Sequence, residues 1–122
     1  MSQEPRLFLI LDDEESIRQS IAAFMEDEGY LVFQAESSEE ALEIVRTHPI
    51  DDAVVDIRLP GQDGNTFMLE AKKLRPNIKF VVHTGSADYI PPKAIQELGV
   101  TLEKVLIKPA SDLNVICEAL KD

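Results

Sequence analysis

Five short apolar runs, each followed by a stretch of helical periodicity, constrain this 122-residue chain more than any other feature. Leu7-Phe8-Leu9-Ile10-Leu11 is continuously apolar, as expected of a strand buried on both faces. Ile17, Ile21, Phe24 and Met25 then recur at helical spacing and stop at Gly29, a residue suited to a helix C-terminal cap. Tyr30 to Ala35 reads as a second strand. Ser37 with Glu40 predicts a capping box for a helix through Leu42 and Val45, ended by His48-Pro49. A third strand, Ala53-Val54-Val55-Asp56, runs into the loop signal Leu59-Pro60-Gly61, and Phe67, Ala71 and Leu74 share one face of the helix that follows. Lys79 to Thr84 makes a fourth strand. Beyond it the chain is least regular, because Pro91-Pro92 permits only a short helix with Pro92 in its first turn, ending at Gly99. Lys104 to Ile107 is the fifth strand, and Ser111 is expected to cap a last helix that turns Leu113, Ile116 and Leu120 inward.

Strictly alternating strands and helices imply parallel strands joined by right-handed crossovers, with helices on both faces of one sheet. The expected fold class is therefore α/β, a flavodoxin-like, doubly wound, five-stranded parallel sheet with order 2-1-3-4-5 and five helices. One domain is expected over residues 1–122, since the chain is too short to pair its core with a second one. In this order the crevice opens at the carboxyl ends of strands one and three, and Asp12, Asp13 and Asp56 meet there. Thr84 and Lys108 end the fourth and fifth strands. The second strand is an edge strand and ends in no comparable group.

Three carboxylates at one strand edge repel one another by about 4 kcal/mol per close pair at an effective dielectric near 20. Lys108 offsets one of those charges. A divalent cation removes the remainder, and an all-oxygen donor set suits Mg2+. A carboxylate beside Mg2+ can attack a phosphoryl donor to give an acyl phosphate, so Asp56, held by the central strand, is the candidate nucleophile. The phosphoryl group adds about two negative charges, for which Lys108 and the Thr84 hydroxyl are suited partners, with backbone N–H groups near Ile57 and Gly85.

These residues carry a resemblance. L-D-D-E-E-S-I-R, V-V-D-I-R-L-P-G-Q-D-G, T-G-S and I-K-P, in this order and at these separations, resemble the receiver domain of two-component response regulators across nearly the whole chain. The resemblance implies that Asp56 accepts a phosphoryl group from a histidine kinase or histidine phosphotransfer protein in a phosphorelay. It implies further that Asp12, Asp13, Asp56 and the backbone carbonyl of Arg58 hold Mg2+, and that Thr84 and Lys108 sense the phosphoryl group. A downstream effector protein or domain is the implied reader. The positions that tune dephosphorylation are Arg58 and Ser86, neither able to orient water as a carboxylate or carboxamide would, so a long-lived phosphoryl group is expected. The chain departs from the family at Val105, where a switching Tyr or Phe is usual, and at Ala110, and Tyr89 is the nearest substitute aromatic.

Other readings of the same acids remain: a pseudo-receiver that binds partners without phosphorylation, and a Mg2+-dependent phosphatase with an aspartyl nucleophile, like the haloacid dehalogenase family. A flavin carrier of flavodoxin type is disfavoured, because acids follow the first strand where phosphate would need donors. Lys and Arg number 12 against 23 Asp and Glu, and the formal charge of -11 opposes direct nucleic-acid or membrane-surface binding. No apolar run reaches spanning length, and a cytoplasmic location is expected. Cys117 is the single cysteine and reads as a core thiol, while His48 and His83 read as structural.

Overall fold

A computed structural model describes residues 4–59, 61–108 and 112–121. The elements are β1 (Leu7–Leu11), α1 (Glu15–Asp27), β2 (Leu31–Ala35), α2 (Ser38–Thr47), β3 (Asp52–Val55), α3 (Gly64–Leu74), β4 (Lys79–Thr84), α4 (Lys93–Gln96), β5 (Val105–Ile107) and α5 (Asn114–Leu120). All four strand pairings are parallel, and the sheet order is β2-β1-β3-β4-β5. This is the order expected from the alternation of runs.

Because strand side chains alternate between faces, each strand feeds two cores. Leu9, Leu11, Ala53, Val55, Phe80 and Val82 pack with Phe67, Met68 and Ala71 of α3 and with Ala41 and Val45 of α2. Phe8, Ile10, Val54 and Val81 pack instead with Ile21 and Met25 of α1 and Ile116 and Leu120 of α5. A sheet covered on both faces needs continuously apolar strands, and the central strands β1 and β3 are buried along nearly all of their length.

Several local details differ from the sequence reading. β3 begins at Asp52 and closes at Val55, so Asp56 lies one residue beyond the strand. Asp52 itself is buried and takes a two-pronged bond from Arg6, Nε at 2.9 Å and Nη2 at 3.0 Å, which offsets the cost of an acid inside the sheet. β5 begins at Val105, because Leu102–Lys104 forms a single 3-10 turn. Leu74 is exposed at the last turn of α3 and does not complete its apolar face. Pro92 takes the N-cap position of α4 rather than its first turn. In the capping box, Ser37 Oγ accepts the Glu40 N–H at 3.2 Å, but the Glu40 carboxylate accepts the N–H of Glu36, one residue outside the expected place. Gly29 adopts φ +97° just after α1, which accounts for a glycine there. The expected cap at Ser111 lies outside the described residues. Among the described residues no helix is long and apolar enough to cross a membrane.

Candidate functional site

Three ladder bonds continue past the strand ends and fix the residues that matter. The Asp12 N–H donates to Ala35 O at 3.2 Å, the Asp56 N–H to Leu11 O at 2.9 Å and the Lys108 N–H to Thr84 O at 2.8 Å. Each chemical group is thus set by the sheet itself before its loop begins. Asp56 Oδ2 accepts Lys108 Nζ at 3.0 Å, Asp12 Oδ2 accepts the same ammonium at 2.9 Å, and Glu14 Oε1 accepts it at 3.0 Å. All three ammonium protons are therefore committed to carboxylates.

The inner part of this cluster is dry. Side-chain exposure is 12% for Lys108, 3% for Asp12 and 6% for Asp56. Burial raises the Asp56 pKa above the ordinary aspartate value; Lys108 pulls it back, the Asp12 charge pushes it up, and the Arg58 N–H, donating to Oδ1 at 3.2 Å, lowers it. For Lys108 burial acts to lower the pKa, yet Asp12, Glu14 and Asp56 more than reverse this and the net shift is upward. The two partners shift in the same direction because the acid shares one cation with two other carboxylates. A folded-state acid with a raised pKa costs stability as pH rises through its titration, so Asp56→Asn is expected to melt no lower than the parent at neutral pH without divalent cation. A lower melting temperature for that variant would contradict the assigned repulsion.

Carboxylate oxygens of Asp12, Asp13, Glu14 and Asp56 all lie within 4.8 Å of one another. Ligand oxygens on opposite sides of a single hard cation are about 4–5 Å apart, so this set fits one divalent ion. Four carboxylates against one ammonium leave three formal negative charges, more than the three-acid reading implied. Glu14 is the member that sequence reasoning missed. It stands two residues past Asp12, whose Oδ1 accepts its N–H at 2.9 Å, and that short turn carries it back over the strand end. Arg18 donates to Asp12 O at 2.8 Å and brings a second cation near.

The remaining expected residues lie on β4, on β5 and in the loops after β3 and β4. Thr84 is fully buried at the end of β4, with its hydroxyl accepting the Ser86 N–H at 3.2 Å. Arg58 Nη2 donates to Ser86 Oγ at 3.3 Å, so the two positions expected to tune dephosphorylation touch. Val105 packs at the margin of the α2–α3 core and has no ring to swing. Tyr89 is half-buried, and its hydroxyl donates to Asn65 Oδ1 at 2.6 Å in the first turn of α3. His48 lies against the Phe33 ring, and His83 is buried next to the end of β4.

His83 is nonetheless unusual. It is buried, and neither ring nitrogen has a hydrogen-bond partner. Burial lowers its pKa, with the Lys108 charge adding to the effect and Asp12 and Glu14 opposing it. The native state then binds fewer protons than the unfolded chain below about pH 6.5, so this residue makes stability fall as pH falls. His83→Leu should raise stability by about 1 kcal/mol at pH 7, and by more at pH 5. Paired urea melts at the two pH values check this, and an advantage that does not widen on acidification would contradict it.

A groove of about 600 Å3 between the turn before β5 and α5 lies at the amino end of that strand, not beside the acids. The site is a charged rim.

Comparison with known proteins gives the family. The family model described as response regulator receiver domain matches residues 8–121. The chain is 33% identical over 111 residues to the response regulator GtcR of Aneurinibacillus migulanus, covering 91% of this chain and 45% of that protein. It is 31% identical over 113 residues to sporulation initiation phosphotransferase F of Bacillus subtilis (strain 168), covering 93% of this chain and 89% of that one. Among solved structures, a response regulator protein from Burkholderia pseudomallei with a phosphorylated aspartic acid, calcium ion and citrate superposes with a TM-score of 0.84 at 28% identity, covering 95% of this chain and 66% of that chain. The chain thus spans under half the length of one of these relatives and nearly all of another.

Proposed function

We propose a residue-by-residue reading of a chain that belongs to the response regulator receiver domain family and is a phosphoacceptor signalling module. Asp56 is the phosphoacceptor. The observation that carries this is the convergence of Asp12, Glu14 and Asp56 on the single ammonium of Lys108, with an all-oxygen cation site beside it. Asp12, Asp13, Asp56 and the Arg58 carbonyl would hold Mg2+, with Glu14 close by. When bound, it supplies charge neutralisation for the incoming phosphoryl group.

An Asp56 oxygen attacks phosphorus while the donor's bond to phosphorus breaks and its electron pair leaves with the donor. Asp56 is set for this by its ladder bond and by the Arg58 N–H on its other oxygen. Once Asp56 is an acyl phosphate its carboxylate charge is gone and it holds Lys108 less strongly, and the ammonium follows the new charge onto a phosphoryl oxygen. Thr84 keeps its hydroxyl proton free to donate, because its present bond from Ser86 uses the oxygen as acceptor. Its movement toward the phosphoryl group draws the loop after β4 inward. Tyr89, tied to Asn65, is where that pull reaches α3, in the absence of an aromatic at Val105.

The donor is a histidine kinase or histidine phosphotransfer protein and the reader a downstream effector, both met in the cytoplasm, with no direct role for nucleic acid or membrane. The protein is a signalling module and turns over no separate metabolite. Phosphatase chemistry on an acid beside the first strand is disfavoured because the receiver-domain family model covers residues 8–121. Intact-protein mass after incubation with acetyl phosphate tests the reading: a labile phosphoryl adduct is expected with Mg2+ and none with EDTA. An adduct that forms equally in EDTA would overturn the cation's role, and no adduct from either acetyl phosphate or a phosphorylated histidine protein would favour the pseudo-receiver.

A further inference from the structure

Three side chains form a relay across the loops that follow β3 and β4. Ser86 Oγ donates to Asp88 Oδ1 at 2.8 Å and accepts from Arg58 Nη2 at 3.3 Å. A hydroxyl has one proton to give, and here it is given to Asp88. The serine oxygen is left to hold the guanidinium, so the relay runs from cation to hydroxyl to anion with every dipole aligned. We infer that Asp88 is a positioning residue that prolongs the life of the phosphoryl group, by fixing Ser86 as an acceptor and thereby holding Arg58 across the two loops. The inference rests on Asp56 being the phosphoacceptor, as proposed above.

The chemistry gives the relay its consequence. In hydrolysis a water oxygen attacks phosphorus opposite the Asp56 oxygen, the P–O bond to Asp56 breaks, its electron pair restores the carboxylate, and the water's protons go to phosphate and solvent. Attack opposite Asp56 comes from the outer side of the site, flanked by the loops that Arg58 and Ser86 join. While Asp88 holds the serine proton, Ser86 cannot donate to the attacking water or to a phosphoryl oxygen. While Ser86 holds Arg58, the side chain narrows the approach. Asp88 touches neither phosphorus nor the cation cluster, so it acts through Ser86 and Arg58 alone.

The test is the rate of adduct loss from the protein phosphorylated with acetyl phosphate, followed by intact mass after the donor is removed. Removing an exposed polar link is worth a modest factor, and Asp88→Ala should shed the phosphoryl group about two- to five-fold faster than the parent. Asp88→Asn keeps an acceptor oxygen for the Ser86 proton and should restore most of the lifetime. Because the two residues act in series, Ser86→Ala combined with Asp88→Ala should be no faster than the faster single variant. Thermal melts report whether each variant folds as the parent does. An unchanged rate in Asp88→Ala, failure of Asn to restore the lifetime, or additive single effects would overturn the relay while leaving Asp56 as phosphoacceptor intact. A parent protein that takes up no phosphoryl group would overturn both.

Discussion

Lys108→Ala is expected to cost about 3 kcal/mol of stability without divalent cation, because it leaves Asp12 and Asp56 buried and unpaired. The lower part of the usual range for breaking buried pairs applies, since Glu14 stays exposed and can turn to water. Most of the loss should return on adding millimolar Mg2+, which takes over the neutralising role. The parent should gain less from Mg2+, since its ammonium already meets these acids. Urea melts of both proteins with and without Mg2+ read the difference directly. A variant as stable as the parent in EDTA would mean that the carboxylates do not depend on Lys108. The variant should also accept phosphate with weak transmission to the loop after β4, as its phosphoryl group has lost a cationic partner.

Gly64→Ala is the second large effect. A Cβ at Gly64 would stand 2.5 Å from Asp56 O, 2.9 Å from Val55 Cγ1 and 3.0 Å from Ile57 Cα. Two of these are backbone atoms of the segment that positions Asp56, so the start of α3 must move away or Asp56 must shift. Overpacking of this kind costs about 1–3 kcal/mol, and the upper figure is expected because backbone cannot yield as a side chain does. Phosphorylation should slow as well, since small displacements of a nucleophile matter to positioning. The close approach has a purpose: it seats the α3 N-terminus against β3, while buried Ser38 of α2 donates to Gln62 O at 2.8 Å and holds the intervening loop from the other side. Gly64→Ala with parent-like melting and phosphorylation would contradict this account.

Much of the architecture was legible because two independent signals coincide in it. The stretches Leu7–Leu11 and Lys79–Thr84 matched their strands residue for residue, the first because it is apolar throughout and the second because Phe80-Val81-Val82 sits at its centre and both faces of the sheet are covered. Legibility failed where polar residues are buried with partners far along the chain. The third strand was read from Ala53 and not from Asp52, because nothing nearby in sequence announces Arg6 as the partner of that acid, 46 residues away. Glu14 was hidden in a run of acids, where only the turn geometry after β1 separates it from Glu15. Asp12, Asp56, Thr84 and Lys108 were readable because each follows or ends a strand whose place in the sheet was already set. The Asp88 relay was not readable, since hydrogen-bond direction at Ser86 depends on loop backbone that the pattern of residues leaves open.

We propose that Asp56, rather than a neighbouring acid, carries the phosphoryl group. Hydride reduction of the acyl phosphate with borohydride converts the phosphorylated aspartate to homoserine, and peptide mapping by mass then locates it. Homoserine is expected at position 56 alone, in protein phosphorylated with Mg2+ and not in the EDTA control. Homoserine at Asp12 or Asp13, or an adduct that leaves Asp56 unreduced, would contradict it.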